Sequence, residues 1–212
     1  MENFPILSWI IFLPLAGIIP LLLISNNRKN LLRIVTLAVT FANFILSLFL
    51  FSWFDSSNID FQFVEKLPWI RSVGIDYHVG VDGLSILLVL LTTFISVIAI
   101  ASTWTAITEK VKGFMIAFLI LETGMLGVFF ALDLFLFYVF WEAMLLPMYF
   151  LIGVWGGKRR IYAAIKFVLF TVAGSLLMLL GIIFIYYQNY QYTGIHTFDL
   201  TVMLFNDIFH DR

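Results

Sequence analysis

Six apolar runs dictate what this chain can become, each close to the roughly 20 helical residues needed to cross a bilayer. They are Ile6–Ile24, Ile34–Phe54, Leu84–Trp104, Phe114–Leu132, Leu134–Trp155 and Tyr162–Tyr187. Inside hydrocarbon every backbone N–H and C=O must be satisfied within the protein, which leaves helices or a closed barrel. Runs this long and this uniformly apolar are helical. Composition agrees: 62% of residues are hydrophobic and 12% charged, about half the charge of a water-soluble domain. The expected fold is all-α, a polytopic membrane bundle of six spans. A net charge of −1 gives no basic field for nucleic acid.

Lys and Arg placement predicts the orientation. Arg28, Lys29 and Arg33 follow the first span, Lys110 and Lys112 the third, and Lys158, Arg159 and Arg160 the fifth, with Lys166 just inside the sixth. Lys66, Arg71 and Arg212 lie on the opposite side. The basic side is therefore expected to be cytoplasmic and both termini external. The first run has no preceding basic residue and no small-residue cleavage pattern, so it reads as a retained helix. The organisation is an N-terminal helix pair (1–54), an external loop (55–82), the remaining spans (83–187) and a polar external tail (188–212). Within the loop, the alternation of Phe61, Phe63, Tyr77, Val79 and Val81 suits a short hairpin. Asp82 is placed to cap the third span, and Pro68-Trp69 suits an aromatic belt. Spans four and five are joined by little more than Asp133, a tight antiparallel pair. Gly156-Gly157 with the three cations after it reads as a turn and anchor rather than a phosphate cradle. In the tail, Leu200–Phe209 suits a short amphipathic surface helix.

There is no cysteine, which removes disulfides, thiolate metal sites and iron–sulfur ligation. His78, His196 and His210 fall in stretches read as solvated loops, and no metal site is expected.

Two carboxylates stand where charge is expensive. Glu122 lies mid-way along the fourth span and Glu142 within the fifth. An ionised group at that depth costs about 2.5–3.5 kcal/mol on insertion scales. Counted from Asp133, eleven and nine residues put them about 16 and 13 Å from the external end, within about one helical turn of each other in depth. Burial favours the neutral acid and a nearby cation favours the carboxylate, so a cation that approaches and retreats can load and release a proton. Pro147 cannot donate to the Ala143 carbonyl, leaving a polar backbone group beside Glu142. Tyr138 and Tyr149, at i−4 and i+7, are placed to extend a hydrogen-bonded path. The plainer alternative keeps both glutamates protonated as hydrogen-bonding staples between helices. Lys166 either takes part in proton movement or snorkels to the interface.

The run from Asp133 through Trp141-Glu142 to Pro147-Met148-Tyr149 resembles the antiporter-like membrane subunits of NADH–quinone oxidoreductase, the M or chain 4 type in particular. Gly80–Ser85, Ile152–Lys158, Tyr162–Thr171 and Gly174-Ser175 support it. The resemblance implies a proton-translocating membrane-arm subunit with no redox chemistry of its own. NADH, FMN, iron–sulfur clusters and quinone are expected on partner subunits, and the chain itself holds no cofactor. Other membrane-arm subunits and the lipid of a bacterial inner membrane, or its mitochondrial or thylakoid equivalent, are the expected partners. Glu142, Lys166 and Glu122 are the expected proton-translocating residues. In that family Glu142 is matched by a glutamate that pairs with a lysine two helices later.

Members of the family carry roughly fourteen spans in two inverted repeats, whereas this sequence carries six. It is therefore expected to be a fragment, a truncated product, or one half of a split subunit. Two alternatives stand beside the first reading: a subunit of a multi-subunit cation/proton antiporter, and a non-pumping structural product.

Overall fold

A computed structural model describes residues 5–205. His210, Arg212 and the last part of the expected helix Leu200–Phe209 lie outside the described residues. Nine α-helices and one two-stranded sheet are present among the described residues. The first span is broken into α1 (Ile6–Ala16) and α2 (Ile18–Leu23). Pro20 has no N–H for the Ala16 carbonyl, so the ladder lapses where the two helices meet. Gly17 stands at that break, and a Cβ there would lie 2.7 Å from the Val39 side chain. The second span is α3 (Lys29–Trp53), the third α4 (Gly83–Ala106) and the fourth α5 (Val111–Phe130). The fifth comprises α6 (Leu134–Ala143) and α7 (Leu145–Trp155), separated at Met144. The sixth is α8 (Arg160–Thr193), followed by α9 (Leu200–Phe205). Six helical units are long and apolar enough to cross a membrane.

Asp82 caps α4 as expected: its Oδ1 accepts from the Ser85 amide at 2.7 Å while the Ser85 hydroxyl accepts from the Asp82 amide at 2.9 Å. The reciprocal pair satisfies two otherwise orphaned donors. Two end-caps hold the bundle. At the basic end, cations sit on helix-terminal carbonyls, where the helix dipole favours positive charge. Lys112 Nζ donates to Leu22 and Ile24, Lys29 Nζ to Thr108, and Arg33 to Ile107. Arg33 is not in a loop; it lies inside α3 and is buried.

At the other end the expected hairpin forms from β1 (Gln62–Ile70) and β2 (Ile75–Val81), joined through a single 3-10 turn, Arg71–Val73. Gly74 supplies the left-handed conformation that closes the turn, at φ 70°. The hairpin is no free loop. Leu132 donates to His78 (2.8 Å), Leu200 to Leu132 (2.8 Å), Leu134 to Phe198 (2.9 Å) and Phe198 to Gly74 (3.1 Å). These bonds stitch β2, the α5–α6 junction and the 195–200 strap into one roof.

The roof corrects one expectation. His78 is buried on β2, with Nδ1 3.0 Å from Asp199 Oδ2. Loop position in sequence failed as a guide because the strand turns that side chain beneath the strap. Beyond Tyr187, α8 continues to Thr193 and ends at Gly194 (φ 70°), and Thr197, Phe198 and Asp199 are buried.

Glu65 pins the roof to α1. Its carboxylate accepts from the Leu7 amide at 2.8 Å and from the Ser8 amide and hydroxyl. A carboxylate at a helix N-terminus meets both free amides and the positive dipole end.

Candidate functional site

Spans four and five approach closely because α5 offers glycine where α6 offers bulk. A Cβ at Gly127 would overlap the Phe140 ring, and one at Gly124 would press on Met144. That register puts Glu142 level with residues 125–126 of α5, three to four residues from Glu122. At a rise of about 1.5 Å per residue the two carboxylates differ by about 5 Å in depth. The sequence expectation of one helical turn holds.

They do not face each other through any hydrogen bond. Glu122 is 0% exposed and turns toward α3, where Asn43 Nδ2 donates to its Oε1 at 3.1 Å. Its Oε2 and the Asn43 Oδ1 are both buried without a partner. Among the described residues no ion pair reaches it. Sequence reasoning missed Asn43. The signal was present: Thr36, Thr40, Asn43 and Ser47 recur at intervals of three and four along an apolar helix, and all are buried. That period marks one helical face. Ser47 and Thr93 of α4 share a hydrogen bond of 2.8 Å farther along it.

Glu142 stands at the last turn of α6, immediately before the break at Met144. Pro147 is buried one turn on and cannot serve the Ala143 carbonyl. Glu142 Oε1 is buried with no hydrogen-bond partner. Tyr138, one turn earlier, interacts with Glu142 and with Ser175 of α8. Tyr149 does not join this group; it is exposed and packs edge-on against Phe150. The break at Met144 disturbs the spacing that placed i+7 on the same face.

Lys166 lies elsewhere. It is on an exposed face of α8, its Nζ 5.7 Å from the centre of the Tyr162 ring. Gly153 of α7 faces Ala164 of α8, so Lys166 sits nine residues from the Ser175 level, about 13 Å along the helix axis. The three expected residues thus occupy three settings: Glu122 against α3, Glu142 beside Tyr138 at the end of α6, and Lys166 near the basic end.

A family described as NADH:quinone oxidoreductase/Mrp antiporter membrane protein matches residues 131–209, a segment holding Glu142 and Lys166. The chain is 50% identical over 191 residues to NADH-quinone oxidoreductase subunit M of Rhodobacter capsulatus, covering 88% of this chain and 36% of the relative. It is 43% identical over 210 residues to the subunit M of Rickettsia typhi, covering 96% of this chain and 41% of the relative. A chain of respiratory complex I from Thermus thermophilus superposes with a TM-score of 0.77 at 28% identity, over 94% of this chain and 39% of that one. The chain therefore spans about two fifths of the length of the proteins it matches. By motif, by fold and by these relatives, the chain matches the N-terminal portion of the antiporter-like membrane subunits of NADH–quinone oxidoreductase.

Proposed function

We propose that this chain works as part of a proton-translocating membrane-arm subunit of NADH–quinone oxidoreductase, with Glu142 as its proton-loading group. One observation carries the reading. Within the family-matched segment, Glu142 holds a buried, unpartnered carboxylate oxygen beside a helix break enforced by Pro147. A buried polar atom without a partner costs roughly 1–3 kcal/mol, and such a cost inside a membrane marks a working group more often than a scaffold. Tyr138 supplies a hydroxyl next to it and meets Ser175 in turn, so a proton has somewhere to go. Moving one charge against 100 mV costs about 2.3 kcal/mol. A change in the charge near Glu142 that alters its proton affinity by a few powers of ten supplies that amount.

The redox chemistry belongs to other subunits in this reading, with NADH, FMN, iron–sulfur clusters and quinone held there. Identities of 43–50% to subunits named for that oxidoreductase favour it over a cation/proton antiporter. The basic end faces the cytoplasm, or its equivalent, and the roof faces outward. Lys166, exposed on α8, serves as a cation at the mouth of the path, and Glu122 as a second proton-holding group.

Glu142→Gln in the assembled complex tests the reading. The expected result is intact assembly with the proton-to-electron ratio abolished or sharply reduced. A near-normal ratio would overturn the assignment.

A further inference from the structure

The geometry points to Asn43 as the positioning partner of Glu122, holding it as a neutral acid through a closed pair of hydrogen bonds. The inference rests on the reading that the membrane-embedded carboxylates of this chain handle protons, and it names a residue that reading does not contain.

The argument is one of matching donors and acceptors. An asparagine amide presents donors on Nδ2 and an acceptor on Oδ1. A carboxylate presents acceptors only, so it satisfies Nδ2 and leaves Oδ1 with nothing. A protonated carboxyl presents one acceptor and one donor, and so answers both ends of the amide. One of the two bonds is already made, Asn43 Nδ2 to Glu122 Oε1 at 3.1 Å. The two atoms left over are Glu122 Oε2 and Asn43 Oδ1, both buried and both without a partner. A single proton on Oε2 satisfies both at once. In a low-dielectric interior an unmet polar pair is costly and a met one strengthens.

No charge nearby argues for the ionised form. The elements packed against α5 are α1, α2, α3, α4, α6, α7 and β2; β2 carries Asp76, Tyr77 and His78 but meets α5 beside Ala131 and Leu132, about 15 Å along the axis from Glu122. Neither α1, α2 nor α4 contains an ionisable residue. On α3, Arg33 is ten residues from Asn43, about 15 Å along the axis. On α5 itself, Lys112 is equally far and is held by the Leu22 and Ile24 carbonyls. Tyr138 and Glu142 on α6 and Tyr149 on α7 carry no positive charge. The amide of Asn43 is the polar group that meets Glu122, and its pattern fits the acid.

Difference infrared spectroscopy on the assembled complex tests this directly. At neutral pH a carboxylic C=O band is expected that disappears in Glu122→Gln. Asn43→Leu should move that band to higher frequency by removing the N–H bond to its oxygen. Asn43→Ser should move it too, and serves where the leucine variant fails to assemble. Glu122→Gln should keep the thermal stability of the complex, because its own amide answers both ends of Asn43, whereas Glu122→Leu should lower it. Absence of the band in the unmodified complex, or a band unmoved by both Asn43 variants, would overturn the proposal. Since these readouts do not depend on pumping, they stand apart from the Glu142 test: a moved band with normal Glu142→Gln pumping refutes the transport reading and leaves the Asn43–Glu122 pair intact.

Discussion

Lys66 Nζ lies 2.6 Å from Asp199 Oδ2, an ion pair between residues 133 positions apart that locks the hairpin to the strap after α8. Lys66 also reaches Asp76 at 3.3 Å, and Asp199 Oδ1 accepts from the Thr201 amide and hydroxyl, capping α9. Asp199 is nearly fully buried while Lys66 is 45% exposed.

Asp199→Asn should loosen the roof by about 1–3 kcal/mol, between the values for exposed and for buried pairs. Faster amide exchange at Leu132, Phe198 and Leu200 would report it. Burial pushes the Asp199 carboxyl up, yet the His78, Lys66 and Thr201 groups outweigh it and hold it well below the usual carboxylate range. A lowered folded pKa gives stability that is full above the ordinary value near 3.8 and is lost as pH falls through the folded one. Burial pulls the Lys66 ammonium down, but Asp199 and Asp76 more than offset this and raise it above 10.5. Its contribution is therefore full below about 10.5 and is lost as pH rises from there through the raised value. Lys66 and Asp199 therefore both stay charged from about pH 4 to about pH 10, and loss of their ion pair inside that range, read as exchange corrected for the intrinsic pH dependence of amides, would contradict it.

Tyr77 gives the alkaline limit. Burial pushes its phenol up to about 12, with the Ser8 hydroxyl opposing and the Glu65 charge assisting. The unfolded chain ionises near 10 and binds fewer protons than the folded one above that pH, so stability falls as pH rises through this window. Tyr77→Phe should remove that fall, and ultraviolet titration of the phenol should show the wild-type transition displaced upward.

Gly127→Ala should cost about 1–3 kcal/mol, because the added carbon meets the Phe140 ring in an already packed seam. Thermal melting of the assembled complex would measure the loss. Phe140→Leu in the same chain should recover part of it, which a general defect in α5 would not allow.

Pro147→Ala should return an N–H to the Ala143 carbonyl and join α6 to α7 as one helix, a gain in helix propensity of up to about 3 kcal/mol. Quinone reduction should persist and the proton-to-electron ratio should fall, since Glu142 loses its polar neighbour. An unchanged ratio with a demonstrably continuous helix would remove the break from the mechanism.

The spans, the hairpin and the Asp82 cap were legible because each is written in local spacing: twenty apolar residues, an alternation of two, a cap beside its helix. The depth of Glu122 relative to Glu142 was legible too, since a short connection fixes the register of an antiparallel pair. Asn43 and Asp199 were not. Their partners lie 79 and 133 positions away, and no local period says which distant residue a buried amide or carboxylate will meet. The stripe on α3 announced only that one face was polar. His78 misled for the same reason, since strand alternation gives its side but not what covers that side.

The roof has a mechanical consequence. Glu65 grips the first turn of α1 while the backbone bonds of Leu132, Leu134, Phe198 and Leu200 tie the α5–α6 junction to the segment leaving α8. Four helices, α1, α5, α6 and α8, are thereby yoked at one end through hydrogen bonds. A tilt imposed on α8 is delivered as torque to α1 and to the α5–α6 turn together, leaving the opposite ends, braced by single cations on carbonyls, as the side where the helices splay.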